Sequence, residues 1–101
     1  MAKIARVELL SEVRDDLDRI FDHLAQHDAD DVPTRIREIM QALDVLERNP
    51  LIGRPVMTEN RELVIGRQSH GYVALYRYVE KIDTIFVLAL RSQREAGYTR
   101  S

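Results

Sequence analysis

Three strand-forming segments, Glu62 to Ile65, Tyr72 to Val79 and Thr84 to Leu90, follow one another with only short turn segments, Gly66 to Gly71 and Glu80 to Asp83, between them. Hairpin connections and an antiparallel meander are the economical reading of such closely spaced strands. The last segment is apolar on both parities, which predicts an internal strand.

What precedes the meander must then cover it. Ile4 to Leu9 alternates, with Ala5, Val7 and Leu9 on one side and Arg6 and Glu8 on the other, and predicts a short strand with one wet face. Ser11 is placed to cap a helix whose apolar stripe is Val13, Leu17, Ile20, Phe21 and Leu24, while Asp15, Asp16 and Asp18 sit near its positive end. Asp30 or Asp31 caps a second helix with Pro33 in its first turn and a stripe of Val32, Ile36, Ile39, Met40, Leu43 and Leu46. The polar break at Gln26 to Asp31 makes the two an antiparallel helical hairpin, and Asn49-Pro50 ends the second. Gly53, Arg54 and Pro55 extend an irregular connection to about Asn60. The expected architecture is β-α-α-β-β-β of the α+β class, a helical hairpin packed on a small, mainly antiparallel sheet, in a single domain over residues 1–101.

Charge narrows the function. Residues 1–50 carry 7 Lys+Arg against 12 Asp+Glu, while residues 51–101 carry 8 against 5, so an acidic half precedes a basic one. All cations except Lys3 and Lys81 are arginine, which favours fixed bidentate contacts over diffuse basicity. A protein built to grip a nucleic-acid backbone is ordinarily more basic than a pI of 5.9, so direct nucleic-acid binding is not expected. The absence of cysteine excludes disulfides, thiolate metal sites and a thiol nucleophile, and makes a reducing cytoplasm the natural compartment. No segment reads as a signal peptide or a membrane span.

Several candidate chemistries fall away on inspection. His23 and His27 have the i, i+4 spacing that could place two imidazoles on one metal, but no HExxH glutamate accompanies them, and two solvated side chains without metal are expected. There is no nucleophile elbow and no glycine-rich phosphate loop, so no catalytic residue and no nucleotide cofactor is expected. Tyr72, Tyr76 and Tyr78 share one strand parity, where they could stack on bases but more ordinarily pack against a neighbouring element. Arginine is more informative: Arg61, Arg67, Arg77, Arg91 and Arg94 all lie on the strands or at their ends, and a compact meander gathers several of them into an anion-attracting cluster. Arg77 shares a parity with Val73, Leu75 and Val79, an apolar setting in which its charge is expected to be paired or used by a partner.

The segments SEVRDDLDRIFDHLA, RNPLIGRPV, RELVIGRQSHGYVALYRYV and IFVLALRSQREAGY together resemble the ParE/RelE family of toxins from bacterial toxin–antitoxin pairs, over nearly the whole chain. The resemblance implies a small cytoplasmic toxin neutralised by an antitoxin whose flexible C-terminal segment wraps it. RelE-like members cleave mRNA on the ribosome with a lysine-x-lysine on the strand before a Gly-Tyr turn and an arginine just after it. Aligned through Gly71-Tyr72, those positions here are Val64, Gly66 and Val73, none of which carries charge. Arg94 matches the arginine of that branch's closing segment, and Tyr98 stands near its late tyrosine. Cleaving RNA through its own 2′-OH needs a proton acceptor, cations at the phosphorane and an acid for the leaving oxygen. With most of that set missing, the ParE-like branch, which resembles a binding inhibitor of DNA gyrase, is the expected function. A ribosome-dependent endoribonuclease or a non-toxic interaction module of the same fold is the alternative. Arg91, Arg94 and Tyr98 are the candidate target contacts. Arg61, Arg67 and Arg77 are the candidate antitoxin contacts, rimming a groove between hairpin and sheet that suits an acidic, amphipathic, disordered segment.

Overall fold

A computed structural model of the chain describes residues 4–27, 31–66 and 71–93. In chain order the elements are β1 (Arg6–Leu9), α1 (Ser11–His27), α2 (Val32–Val45), β2 (Arg54–Val56), β3 (Asn60–Ile65), β4 (Tyr72–Val79), one 3-10 turn (Glu80–Ile82) and β5 (Thr84–Ser92). The strands form one five-stranded sheet in the order β1-β5-β4-β3-β2. The meander is as expected, with β3 antiparallel to β4 and β4 antiparallel to β5. β1 adds to the free side of β5 in parallel, its register running from Arg6 opposite Thr84 to Leu9 opposite Val87, which makes the sheet mixed and β5 internal. No helix among the described residues is long and apolar enough to cross a membrane.

The core lies between the helices and one face of the sheet, where Val13, Ile20, Leu24, Ile39, Leu43 and Leu46 meet Ile65, Tyr72, Ala74, Tyr76, Ile85, Val87 and Leu90. The stripes predicted from helical periodicity are partly revised. Phe21 and Met40, both assigned to the core, are 50% and 39% exposed, whereas Asp16 is buried at 1%. On the helical wheel Asp16 lies on the line of Val13, Ile20 and Leu24, so seating that line on the sheet turns Phe21 outward. Asp31 stands at the N-cap of α2, but its carboxylate accepts from Arg35 Nε at 2.9 Å and not from a backbone N–H.

A buried carboxylate needs partners, and Asp16 finds them 74 residues away in the chain. Its Oδ2 accepts the Leu90 backbone N–H at 3.0 Å, and its Oδ1 accepts from Arg19 Nη1 at 3.0 Å. Arg19 Nη2 in turn donates to the Leu90 carbonyl at 3.2 Å. The N–H and C=O of a strand residue point the same way, here toward the side where β1 has already ended; the last backbone bond across that gap is Leu10 N–H to Val87 C=O at 3.1 Å. Asp16 and Arg19 therefore do for Leu90 what a strand would have done.

The second correction concerns the stretch expected to be irregular. Arg54–Val56 forms a strand paired with β3, with Pro55 opposite Arg61. A three-residue segment containing proline argues against a strand unless it lies at a sheet edge, which is where β2 sits. The loop leading into it is tied down from the sheet: the Gly53 N–H donates to the Tyr76 hydroxyl at 2.8 Å, and Arg61 Nη1 donates to the carbonyls of Gly53 at 2.7 Å and Leu51 at 3.1 Å. A Cβ at position 53 would stand 2.7 Å from both the Glu62 carbonyl oxygen and the Tyr76 ring, so this close approach requires glycine.

Two variants test this anchor by urea denaturation. Tyr76→Phe leaves the Gly53 N–H buried without its acceptor and is expected to cost about 1–3 kcal/mol. Gly53→Ala forces the loop off the sheet and is expected to cost about 1–3 kcal/mol.

Candidate functional site

Strand register divides the meander into two faces of different character. On β4, Tyr72, Ala74, Tyr76 and Tyr78 face the helices, while Val73, Leu75, Arg77 and Val79 face the other way. The tyrosine row is thus core: Tyr72 is 6% and Tyr76 0% exposed, which leaves neither ring for stacking on bases. On β5 the parity changes partway. Tyr76 stands opposite Val87, but Leu75 stands opposite Ala89, and the extra residue at this bulge is Leu88. Ile85 and Val87 before the bulge and Leu90 after it all reach the core, although a regular strand would have turned Leu90 outward. The same step sends Arg91, which shares odd parity with Ile85 and Val87, to the open face.

The open face carries a readable set of rows. Across the end of β5, Arg91 stands opposite Val73, and Val73 opposite Val64 on β3. Val73 is 3% exposed and Val64 50% exposed, so this row sets one guanidinium beside an apolar strip. Arg91 is half-buried, and its Nη1 donates to the Ser92 carbonyl at 3.2 Å. In the next row Ala89, Leu75, Glu62 and Arg54 stand in line, with Arg54 Nη2 2.9 Å from Glu62 Oε1. Further along, Arg77 stands opposite Phe86 and reaches Glu59 at 3.0 Å, both side chains remaining substantially exposed at 47% and 60%. Arg77, Glu59, Tyr78, Val79, Glu80 and Lys81 line a shallow open groove at this end of the sheet.

Arg77 is therefore paired, but at the surface and not in the apolar setting expected from its parity, through an exposed ion pair of the kind worth at most about 1 kcal/mol. Arg61 belongs elsewhere. It shares the parity of Leu63 and Ile65 on the helix side and spends its donors on loop carbonyls, so Arg61 and Arg77 lie on opposite faces and do not rim one groove. Arg67, Arg94 and Tyr98 lie outside the described residues. Asp16 and Arg19, which hold the strand that carries Arg91, were not singled out from sequence; the available signal was an aspartate on the buried line of an amphipathic helix.

The hydrogen bond from Tyr78 to Asp83 closes the β4–β5 turn, with O···O 2.5 Å and Asp83 in the left-handed region at φ 50°. Donation to that carboxylate, aided by burial and the nearby charges of Asp83 and Glu80, pushes the Tyr78 phenol up to about 12. The Tyr76 phenol is raised by burial, against the opposing pull of the Gly53 N–H and Arg61. On α1, the His23 and His27 rings lie with centroids 4.5 Å apart, tilted by 44°, on an exposed surface, and no group of three or more His, Cys, Asp or Glu side chains among the described residues converges on a metal position.

Comparison with known proteins agrees with this fold. A family profile described as ParE toxin of type II toxin-antitoxin system, parDE, matches residues 7–97. A chain of the chromosomal ParDE TA system from P. aeruginosa is similar in structure with a TM-score of 0.75 at 20% identity, covering 88% of this chain and 96% of that one. A chain of the toxin–antitoxin complex RelBE2 from Mycobacterium tuberculosis is similar with a TM-score of 0.62 at 18% identity, covering 94% of this chain and 98% of that one. No curated protein sequence matches.

The turn contact has a signed pH dependence. A phenol raised in the folded state stabilises fully below its unfolded value of 10.0, and that contribution is lost as pH rises toward about 12. Tyr78→Phe is expected to flatten the fall of stability across this window, measured as urea midpoints at successive pH values, whereas an unchanged pH profile would show that the phenol–carboxylate bond contributes nothing.

Proposed function

The chain belongs to the ParE toxin family of type II toxin–antitoxin systems, and from that premise we propose that it acts by binding, with DNA gyrase as its target and a cognate antitoxin as its restraint. The observation that carries this reading is the row Val64, Val73 and Arg91. Val64 and Val73 fall where the RelE-like branch aligns two of its cations, and here they are register partners forming an apolar strip beside a single half-buried arginine. Such a strip cannot supply a proton acceptor or counter the charge of a phosphorane. Within this row a protein partner can reach Val64, which is 50% exposed, and the half-buried Arg91, and an apolar contact accompanied by an arginine is the common make-up of an interface hot spot.

The antitoxin reading rests on the opposite end of the same face. Arg77 is held by Glu59 in an exposed pair that costs little to exchange, so a carboxylate on an extended acidic segment can take the place of Glu59 while its apolar side chains cover Phe86 and Val79. Arg61, occupied with the loop carbonyls, contributes to this only by holding β2 and β3 in place.

Purified protein is expected to block the supercoiling of relaxed plasmid by gyrase, and Arg91→Ala to raise the concentration required by about tenfold. No inhibition at a large molar excess over gyrase would reject this target. Codon-phased cuts in translated mRNA would replace it with ribonuclease activity.

A further inference from the structure

The bulge at Leu88 poses a problem that the ladder alone does not solve. A slip of one residue along a strand exchanges its faces, so the segment beyond the bulge has to be held at one offset. β5 has two strand neighbours only as far as Val87, where β1 ends. Beyond the bulge it is paired on one side by β4, and on the other its Leu90 peptide is held by α1, through Asp16 on the N–H and Arg19 on the C=O. The ion pair joining those two side chains, 3.0 Å long with Asp16 almost wholly buried, fixes both ends of the grip at once.

We propose that Asp16 and Arg19 are positioning residues: by clamping the Leu90 peptide they lock the post-bulge segment of β5 in the register that presents Arg91 on the open face. The clamp acts on function only through that segment, and this inference rests on the open face being the partner-binding surface. Two features distinguish it from ordinary core packing. Arg19 is a third exposed and spends its donors on a strand backbone and on Asp16, where packing alone would have been served by an apolar side chain. The peptide it holds is adjacent in sequence to Arg91, and the bulge that re-aims Arg91 begins two residues earlier.

The test uses the full chain as wild type, Arg19→Ala and Asp16→Asn, with amide hydrogen exchange followed residue by residue and growth arrest measured on expression without an antitoxin. In both variants the Leu90 amide is expected to exchange faster by about tenfold or more relative to the amides of Val73 and Tyr76 on β4, the size of one lost charge-assisted hydrogen bond. Growth arrest should fall to the level of Arg91→Ala while the urea midpoint shows the sheet still folded. Unchanged exchange at Leu90, or a uniform rise across β4 and β5, overturns the clamp as a local lock. Faster local exchange with growth arrest intact overturns the positioning role. Should one variant fail to fold, Arg19→Lys, which keeps the charge but reaches only one of the two acceptors, is read by the same criteria. Absence of growth arrest by the wild-type chain counts against the toxic reading itself, and the exchange measurement still decides whether the clamp holds.

Discussion

The contact on which the arrangement turns is the one between α1 and the backbone of Leu90. Asp16 and Arg19 meet that peptide with two hydrogen bonds of 3.0 and 3.2 Å and are joined to each other by a third of 3.0 Å, in a place where the sheet has no strand to offer. A carboxylate at 1% exposure would be strongly unfavourable without them, so the orientation of α1 and the path of β5 are set together. Once Asp16 is seated, Val13, Ile20 and Leu24 face the sheet and Phe21 is left at the surface.

A second constraint comes from the bulge, which lets β5 serve two faces whose apolar residues fall on different parities. Before Leu88 the odd residues are core, and after it the even ones are, so a segment apolar on both parities is an internal strand with a mid-course correction. The cost of the extra residue is borne on the side where β1 is absent and where the Asp16–Arg19 pair is present. Bulges beside functional surfaces commonly re-aim one side chain, and here that side chain is Arg91.

The sheet is consequently asymmetric in chemistry as well as in cover. One face holds the aromatic core under the helices. The other displays Val64, with Leu75 and Phe86 half-buried, beside Arg54 and Arg77, which are matched by Glu62 and Glu59. The Arg77–Glu59 pair is exposed and of a kind worth little net stability, whereas Glu62 in the Arg54 pair is nearly buried. Its edges are guarded differently: Pro55 lies in the edge strand β2, and just before β1 the Ala5 N–H is already given to the Glu47 carbonyl at 2.7 Å. Both devices favour a partner that covers a face over one that adds a strand.

Much of this was legible in the chain itself, because periodicity, caps and turn residues are local. The element order, the antiparallel meander, the helical hairpin and the internal position of β5 all follow from spacing. The remainder depends on contacts between residues far apart in sequence. That Asp16 is buried, that Pro55 belongs to a strand, that Arg61 and Arg77 lie on opposite faces and that Arg91 turns outward are decided by register, a bulge and a hydrogen bond spanning 74 residues. No local pattern encodes these, since each is the choice of a partner, and partners are selected only when the whole sheet is assembled.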